Sequence, residues 1–243
     1  MDVKTAIRLY NNRHGFGGLT PKAVLFDMDG VLYDSMPNHA VAWQQSMETF
    51  GISMSAADAY ATEGARGVDT IRAMVARQQG RTISEEEAQR MYDVKTAIFH
   101  SLPEAPVMPG IRSLMAQIKA CGVSMGVVTG SGQRPLIRRL LSDFGEYIEE
   151  RCITTAYDVK RGKPNADPYL AGLRKAGGLQ PWEALVVENA PLGIRAGVAA
   201  KIFTVAVNTG PLPNQTLLDG NADLLFPTMS DFSSRWTDFF SDI

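Results

Sequence analysis

The chain has 243 residues, 45% of them hydrophobic, which is enough for one large domain or for a core with a smaller second domain. Its 26 acidic and 24 basic residues nearly balance, so no global charge favours nucleic acid or a charged membrane surface as a partner. Cys121 and Cys152 are too few for a disulfide framework, and no apolar run is long enough to span a membrane. We therefore expect a cytoplasmic protein that binds neither nucleic acid nor membrane.

Residues 1–20 precede the first strand pattern and are expected to form an N-terminal extension. Val3, Ile7 and Tyr10 recur at helical spacing, which predicts a short helix over residues 2–12. Residues 11–20 are rich in Gly and Asn, which predicts a linker. We assign no function to this extension.

The apolar run at residues 23–26 predicts a strand buried on both faces, and Asp27, Asp29 and Gly30 follow it. Two carboxylates one residue apart at the end of a buried strand are costly to desolvate and repel each other. Carboxylate oxygens are the ligands that Mg²⁺ prefers, so a bound cation would offset both costs. The structural alternative is an Asp-rich turn in which Gly30 allows a sharp reversal.

A helical insert follows this strand directly. The patterns predict helices over residues 37–50, 55–60, 68–79 and 84–99, and no strand pattern interrupts them. Ser55 and Ser84 stand at capping-box spacing from acidic residues, and Pro103 lies where the chain leaves the insert. We expect residues 36–104 to form a small inserted helical domain, with residues 21–35 and 105–243 forming the core.

Helix and strand patterns alternate from residue 110 onward. The predicted strands cover residues 123–128, 152–154, 184–187, 202–207 and 223–226, and a closing helix is predicted over residues 231–240. This alternation predicts an α/β fold with a Rossmann-like parallel sheet covered by helices on both faces. Ligands bind such sheets beyond the carboxyl ends of the strands.

Polar residues follow two further strands at the points where they end. Thr129, Gly130 and Ser131 come after one strand, and they supply hydroxyl donors and an open backbone for an anion. Glu188 and Asn189 come after another. Because parallel strands end at one edge of the sheet, we expect both groups to meet the Asp pair. The alternative is that these residues cap the helices that follow them.

A basic cluster lies ahead of a predicted helix and contains Lys160, Arg161 and Lys163. Composition alone does not choose among the three, and for each the ordinary alternative is a solvated surface charge.

These motifs together resemble those of the haloacid dehalogenase superfamily, in its β-phosphoglucomutase-like subgroup, over residues 21 to about 227. The segment Phe-Asp-Met-Asp-Gly-Val-Leu at residues 26–32 is similar to the first motif of that family. The resemblance implies that residues 36–104 are the small helical cap of the family and that residues 21–35 and 105–243 are its Rossmann-like catalytic core. The resemblance implies that Asp27 is a nucleophile that accepts a phosphoryl group and that Asp29 is the general acid and base. It also implies that Thr129, Gly130 and Ser131 hold that group while Lys163, the lysine followed by proline, neutralises its charge.

The fourth motif departs from the family. Two acids normally stand where this chain has Glu188 and Asn189, the first often pairing with the motif-three lysine and the second binding Mg²⁺. An amide oxygen still binds a hard cation, but one negative charge is missing. We expect a magnesium site formed from Asp27, Asp29, Glu188 and Asn189. Our hypothesis is that Glu63 from the cap supplies the missing charge, the alternative being an exposed loop acid.

Three further cap-side residues are candidates for substrate binding. The resemblance aligns His39 with a hinge histidine and Lys95 with a substrate-facing lysine, and Arg66 lies in the cap loop that reads substrate. For each of them a solvated surface role is the alternative.

The expected partner is a small phosphorylated molecule. The cap loop lacks the usual mutase residues. The first motif, the Glu-Gly-x-x-Gly cap loop and the Glu-Asn-Ala-Pro-Leu-Gly segment most resemble an inorganic pyrophosphatase branch of the subgroup, which is our first hypothesis for the activity. A β-phosphoglucomutase or a small sugar-phosphate phosphatase is the alternative, and a non-catalytic phosphate-binding protein is a third. A dehalogenase is disfavoured because it needs no second Asp.

Overall fold

The computed structural model describes residues 1–240 and contains one parallel sheet of six strands in the order β3-β2-β1-β4-β5-β6. The strands are β1 (Ala23–Phe26), β2 (Ser124–Val128), β3 (Ile153–Thr154), β4 (Ala184–Glu188), β5 (Phe203–Val207) and β6 (Leu224–Phe226). Every neighbouring pair runs parallel. The predicted α/β fold with a Rossmann-like parallel sheet is thus confirmed.

Eleven α-helices are assigned within the described residues. They are α1 (Val3–His14), α2 (Met36–Glu48), α3 (Ala56–Ala61), α4 (Gly67–Gln79), α5 (Glu85–Ser101), α6 (Ile111–Ala120), α7 (Arg134–Phe144), α8 (Asp167–Lys175), α9 (Pro191–Ala199), α10 (Asn214–Leu218) and α11 (Met229–Ser234). The short α10 has no counterpart among the predicted helices. The predicted closing helix is divided into α11 and a 3₁₀ turn, Trp236–Phe239. No helix among the described residues is both long and apolar enough to cross a membrane.

The central strand β1 is buried on both faces. Val24 and Phe26 belong to one hydrophobic cluster, and Ala23 and Leu25 belong to another on the opposite face. This follows from the alternation of side chains along a strand, with helices covering both sides of the sheet. The strand is therefore a rigid base for the residues at its carboxyl end.

Helices α2 to α5 share a hydrophobic cluster of their own, which includes Trp43, Met47, Ile71 and Met91. Ser55 caps α3 by accepting a hydrogen bond from the Asp58 backbone N–H, as its capping-box spacing predicts. A separate cluster over the sheet supports our proposal that residues 36–104 form the cap.

The N-terminal segment packs on the main core. Val3, Ile7 and Tyr10 are buried in the principal cluster, and the Tyr10 hydroxyl donates to the Lys201 carbonyl at 2.8 Å. The expected linker over residues 11–20 is wrong, because α1 continues to His14 and Leu19 is fully buried. Packing of the apolar face of α1 on the core extends the helix to His14, although Asn residues there favour a loop.

Replacing Tyr10 by Ala is expected to destabilise the protein by about 3–5 kcal/mol, since it removes a buried aromatic ring and leaves a cavity. The neighbouring Leu9, which is 45% exposed, is the control, and Leu9→Ala should cost less than about 0.5 kcal/mol. Urea unfolding measures both. Equal, small effects would show that α1 does not fold with the core.

Candidate active site

Three strand ends meet at one edge of the sheet and bring the predicted polar residues together. Phe26 pairs with Val127 on one side and with Val187 on the other, so the residues that follow these positions are neighbours. Asp27 leaves the end of β1, where its backbone N–H still donates to the Val187 carbonyl at 3.0 Å. The expected convergence of the three strand ends is therefore present.

Lys163 lies at the centre of this edge with its side chain only 1% exposed. Its ammonium group donates to the carboxylates of Asp27 at 2.5 Å and Glu188 at 2.7 Å, and to the Val128 carbonyl at 3.0 Å. Burial by itself would lower the pKa of Lys163, but the two carboxylates outweigh it and raise that pKa above its usual value. Geometry thus selects Lys163 from the basic cluster.

Glu188 is fully buried, and both of its oxygens are occupied by protein donors. Oε1 accepts from Lys163 and from the Tyr169 hydroxyl at 2.7 Å, while Oε2 accepts from the backbone N–H groups of Asn189 at 3.1 Å and Ala190 at 3.3 Å. These contacts favour a supporting role for Glu188, and its expected role as a metal ligand stays a prediction. With its acceptor oxygens used in this way, Glu188 holds Lys163 in place.

The Glu188 carboxylate fits only because Gly193, in the first turn of α9, has no side chain. A Cβ at Gly193 would lie 1.7 Å from Glu188 Oε1. Tyr169 closes the other side, with the ammonium of Lys163 5.2 Å from the centre of its ring. Both residues support the ion cluster from outside the cavity.

Asp29 lies beside Asp27 but has different partners. Its Oδ1 accepts from the Ser35 hydroxyl at 2.6 Å and lies 3.1 Å from His39 Nε2. Burial would raise the pKa of Asp29, but His39, Ser35 and Lys95 outweigh it and lower the pKa to about 2. Burial raises the pKa of Asp27 in spite of Lys163, and the two carboxylates are thereby differentiated.

His39 connects Asp29 to Lys95, whose ammonium group lies 2.6 Å from His39 Nδ1. Because a lysine ammonium only donates, Nδ1 is the acceptor and the ring proton lies on Nε2, facing Asp29. Burial and the Lys95 charge lower the pKa of His39, and Asp29 offsets this only in part. The three groups form a continuous hydrogen-bonded chain.

The Lys95 ammonium lies within an aromatic box. Its distances to the ring centres of Trp43, Tyr92 and Phe99 are 5.3, 5.8 and 4.9 Å. Burial lowers the pKa of Lys95 to about 8, although Asp29 opposes the shift. The cap thus places beside the cavity a cation whose pKa is about 8.

Glu63 reaches the sheet edge from the cap and is buried, with 8% of its surface exposed. The Asn189 amide donates to its Oε2 at 3.1 Å. Burial, together with Asp27, Asp29 and Glu188, raises the pKa of Glu63 well above its usual value. The alternative of an exposed loop acid is wrong, and the site carries more acidic groups than neighbouring cations.

Asn189 supplies an observation that bears on a metal. Its Oδ1 atom is buried and accepts no hydrogen bond within the described part of the chain, although its Nδ2 donates to Glu63. Within residues 1–240 no set of three His, Cys, Asp or Glu side chains stands at metal-binding spacing. An orphaned amide oxygen among crowded carboxylates nevertheless fits a hard cation such as Mg²⁺, for which Asp27, Asp29, Asn189 and Glu63 are the available donors.

The loop after β2 forms the opposite wall of the cavity. Gly130 and Ser131 line it together with Asp27, Asp29 and Glu63. Thr129 is buried beneath the loop, where its Oγ1 accepts from the Ser131 N–H at 3.0 Å and fixes the turn. Gly130 is bare because the cap approaches there, since a Cβ would lie 3.0 Å from the Gly64 carbonyl oxygen.

Arg66 is directed away from the cavity, which corrects the expectation that it binds substrate in this arrangement. Its guanidinium pairs with Glu85 at 3.1 Å and with Asp69 at 3.9 Å, while its stem packs on Gly162. His39 and Lys95, by contrast, line the cavity.

Sequence reasoning missed three residues that shape the site: Ser35, Tyr169 and Gly193. Ser35 lies next to the first motif and Tyr169 follows the lysine motif by six positions, but neither pattern indicates a carboxylate partner. The sequence indicates Gly193 only as a small residue in the first turn of a predicted helix, which does not predict its contact with Glu188. Long-range pairing decides all three roles.

Comparisons with known proteins agree with this geometry. A family model described as haloacid dehalogenase-like hydrolase matches residues 24–207. Hexitol phosphatase A of Escherichia coli strain K12 is 32% identical, the alignment covering 77% of this chain and 83% of the relative. The β-phosphoglucomutase of Bacillus subtilis strain 168 is 27% identical, covering 87% and 92% of the two chains.

A solved structure named "Putative beta-phosphoglucomutase from Bacteroides vulgatus" superimposes with a TM-score of 0.93 at 48% identity, covering 98% of this chain and 96% of that chain. The match to the family model and the identity to curated relatives lead to one conclusion. The chain belongs to the haloacid dehalogenase-like hydrolase family.

Proposed function

We propose that this protein is a Mg²⁺-dependent phosphohydrolase that forms an aspartyl-phosphate on Asp27 and acts on small phosphorylated carbohydrates. The observation that carries the proposal is the pairing of a nucleophile held by Lys163 with a second carboxylate, Asp29, linked to His39. Both carboxylates line one cavity beneath the cap. This arrangement suits two-step phosphoryl transfer.

In the first step an Asp27 oxygen attacks phosphorus and the leaving oxygen takes a proton from Asp29. The low pKa of Asp29 means that this proton has to be supplied. Lys95 transfers a proton to His39 Nδ1 as His39 Nε2 gives its proton to Asp29, so the ring stays neutral and Lys95 becomes the neutral amine. In the second step ionised Asp29 deprotonates the water that cleaves the aspartyl-phosphate.

The other residues stabilise the charge that develops on the phosphoryl oxygens. Lys163 provides a buried positive charge, and Ser131 with the Gly130 backbone faces the cavity. When bound, Mg²⁺ would neutralise phosphoryl charge and offset the repulsion among the carboxylates. Asp27, Asp29, Asn189 and Glu63 would hold it.

Relatives support a phosphorylated carbohydrate as the substrate. One curated relative is named a hexitol phosphatase and another a β-phosphoglucomutase. They favour the sugar-phosphate alternative of the sequence analysis over its first hypothesis, pyrophosphate. We therefore propose the phosphate ester of a small sugar or sugar alcohol as the first candidate substrate.

Inorganic pyrophosphate is the second candidate, and Glu63 is the observation that favours it. This cap carboxylate lies against Asn189 at the sheet edge, and a bound cation would favour its ionised form. A neutral sugar leaving group would gain nothing from this carboxylate. Glu63 and Asn189 would instead help to hold the cation that accompanies pyrophosphate, and that cation would offset the charge of the substrate.

One substrate panel separates the candidates. The value of kcat/KM is measured for a hexitol phosphate, β-glucose 1-phosphate and pyrophosphate, each with and without Mg²⁺. The proposal requires phosphate release from the hexitol ester to exceed that from pyrophosphate. Faster cleavage of pyrophosphate would establish the second candidate, and isomerisation of the glucose ester would indicate a mutase.

Asp27→Asn should abolish turnover, because an amide cannot form the aspartyl-phosphate. Asp29→Asn should lower the rate by roughly 10²–10⁴-fold through loss of proton transfer. Phosphate release measures both, with unfolding midpoints as the check on folding. Substantial activity in Asp27→Asn would refute the covalent route.

Activity should fall as the pH rises through about 8. Lys95 has a pKa of about 8 because it is buried, so above that pH it loses the proton that supports His39 and Asp29. Lys95→Met should lower kcat/KM by on the order of 10²-fold and should remove the fall in activity on the alkaline side of the pH–rate profile, which we call the alkaline limb. Lys119→Met, at an exposed helix position, is the matched control. An unchanged limb in Lys95→Met would exclude Lys95 as its source.

Glu63→Gln should raise the Mg²⁺ concentration needed for half-maximal activity, since it removes one negative charge from the proposed metal site. Glu48→Gln provides an exposed cap acid as the control. Titration of activity with Mg²⁺ measures the shift. If the two variants respond alike, Glu63 does not contribute to metal binding.

A further inference from the structure

The loop after β5 touches the cap at a point outside the catalytic motifs. Gly210 lies under the ring of Tyr60, and a Cβ at Gly210 would stand 3.0 Å from Tyr60 Cε1 and 3.1 Å from Cδ1. Tyr60 belongs to α3 of the cap, whereas Gly210 lies just past β5 of the core. The family match ends at residue 207, so it assigns nothing to this loop.

The preceding residue holds the nucleophile loop. The Thr209 hydroxyl donates to the Gly30 carbonyl at 2.6 Å. Gly30 has a left-handed φ of +77°, and a Cβ there would lie 2.0 Å from Asn189 Nδ2. Thr209 therefore fixes the turn against which Asn189 packs.

On the cap side, Tyr60 controls where Glu63 arrives. The Glu63 backbone N–H donates to the Tyr60 carbonyl at 3.4 Å, so the two residues share one turn at the end of α3. The Glu63 side chain then meets Asn189. The contacts that start at Thr209 and Gly210 thus end at the same pair, Glu63 and Asn189.

We propose that Thr209 and Gly210 are positioning residues for the reaction. Gly210 is the core surface on which Tyr60 docks when the cap is closed, and Thr209 holds the Gly30 turn in register with it. Together they set the separation between the cap loop and the nucleophile loop. The catalytic consequence rests on the proposed function, whereas the docking contact does not.

Gly210→Val tests the docking contact, because its branched side chain would displace the Tyr60 ring. Gly17→Val is the matched control, since Gly17 has no neighbouring atom within 4 Å of an added Cβ. Amide hydrogen exchange over residues 60–66 should become roughly tenfold faster in Gly210→Val and should not change in Gly17→Val. This readout needs no turnover, so it remains informative if the proposed function fails. Unchanged exchange in Gly210→Val would overturn the docking contact.

The kinetic arm tests positioning. Gly210→Val should raise KM and the Mg²⁺ requirement more than it lowers kcat, with a wild-type unfolding midpoint. The double variant with Tyr60→Ala should be no worse than Tyr60→Ala alone, because both act through one contact. Additive effects, or faster exchange with unchanged kinetics, would overturn the positioning role.

Thr209→Val should likewise raise the Mg²⁺ requirement, because it leaves the Gly30 carbonyl without its donor. Thr209→Ser keeps the hydroxyl and should restore the wild-type value. If Thr209→Ser behaves like Thr209→Val, the hydrogen bond to Gly30 is not the route and the role of Thr209 is overturned.

Discussion

The buried ammonium of Lys163 is the interaction on which the rest of the site depends. It joins the ends of three central strands by donating to Asp27, to the Val128 carbonyl and to Glu188. A buried charge is tolerated only when it is paired and hydrogen-bonded, so each of these partners has to be in place together. That requirement explains why a glycine stands at position 193, since a side chain there would displace the Glu188 carboxylate.

The cluster around Lys163 leaves negative charge in excess. Glu63 arrives from the cap as an additional carboxyl group, and burial together with the acidic groups around it raises its pKa. The orphaned Asn189 oxygen lies beside this charge. Cap closure and charge compensation are consequently linked, because the closing loop brings a carboxylate that favours a cation at the edge of the sheet.

The carboxylates of Asp27 and Asp29 have different surroundings although they are two residues apart. Asp27 accepts from Lys163 at the sheet edge, and Asp29 accepts from Ser35 and lies beside His39. Strand β1 ends at Phe26 and the chain turns at Gly30, so Asp29 lies outside the strand and reaches partners that Asp27 does not. The proposed nucleophile and the proposed proton carrier thereby stand side by side with separate partners, as the proposed two-step chemistry requires.

The sequence by itself determined the succession of strands and helices along the chain, because hydrophobic periodicity and turn residues are local properties. It also placed Asp27, Gly130 and Asn189 at strand ends, since parallel strands end at a common edge. Tertiary structure decided what these groups touch. Glu188 became a support for Lys163, Arg66 turned outward to Glu85, and α1 packed on the core. Such outcomes depend on contacts between residues far apart in the chain, which no local pattern encodes.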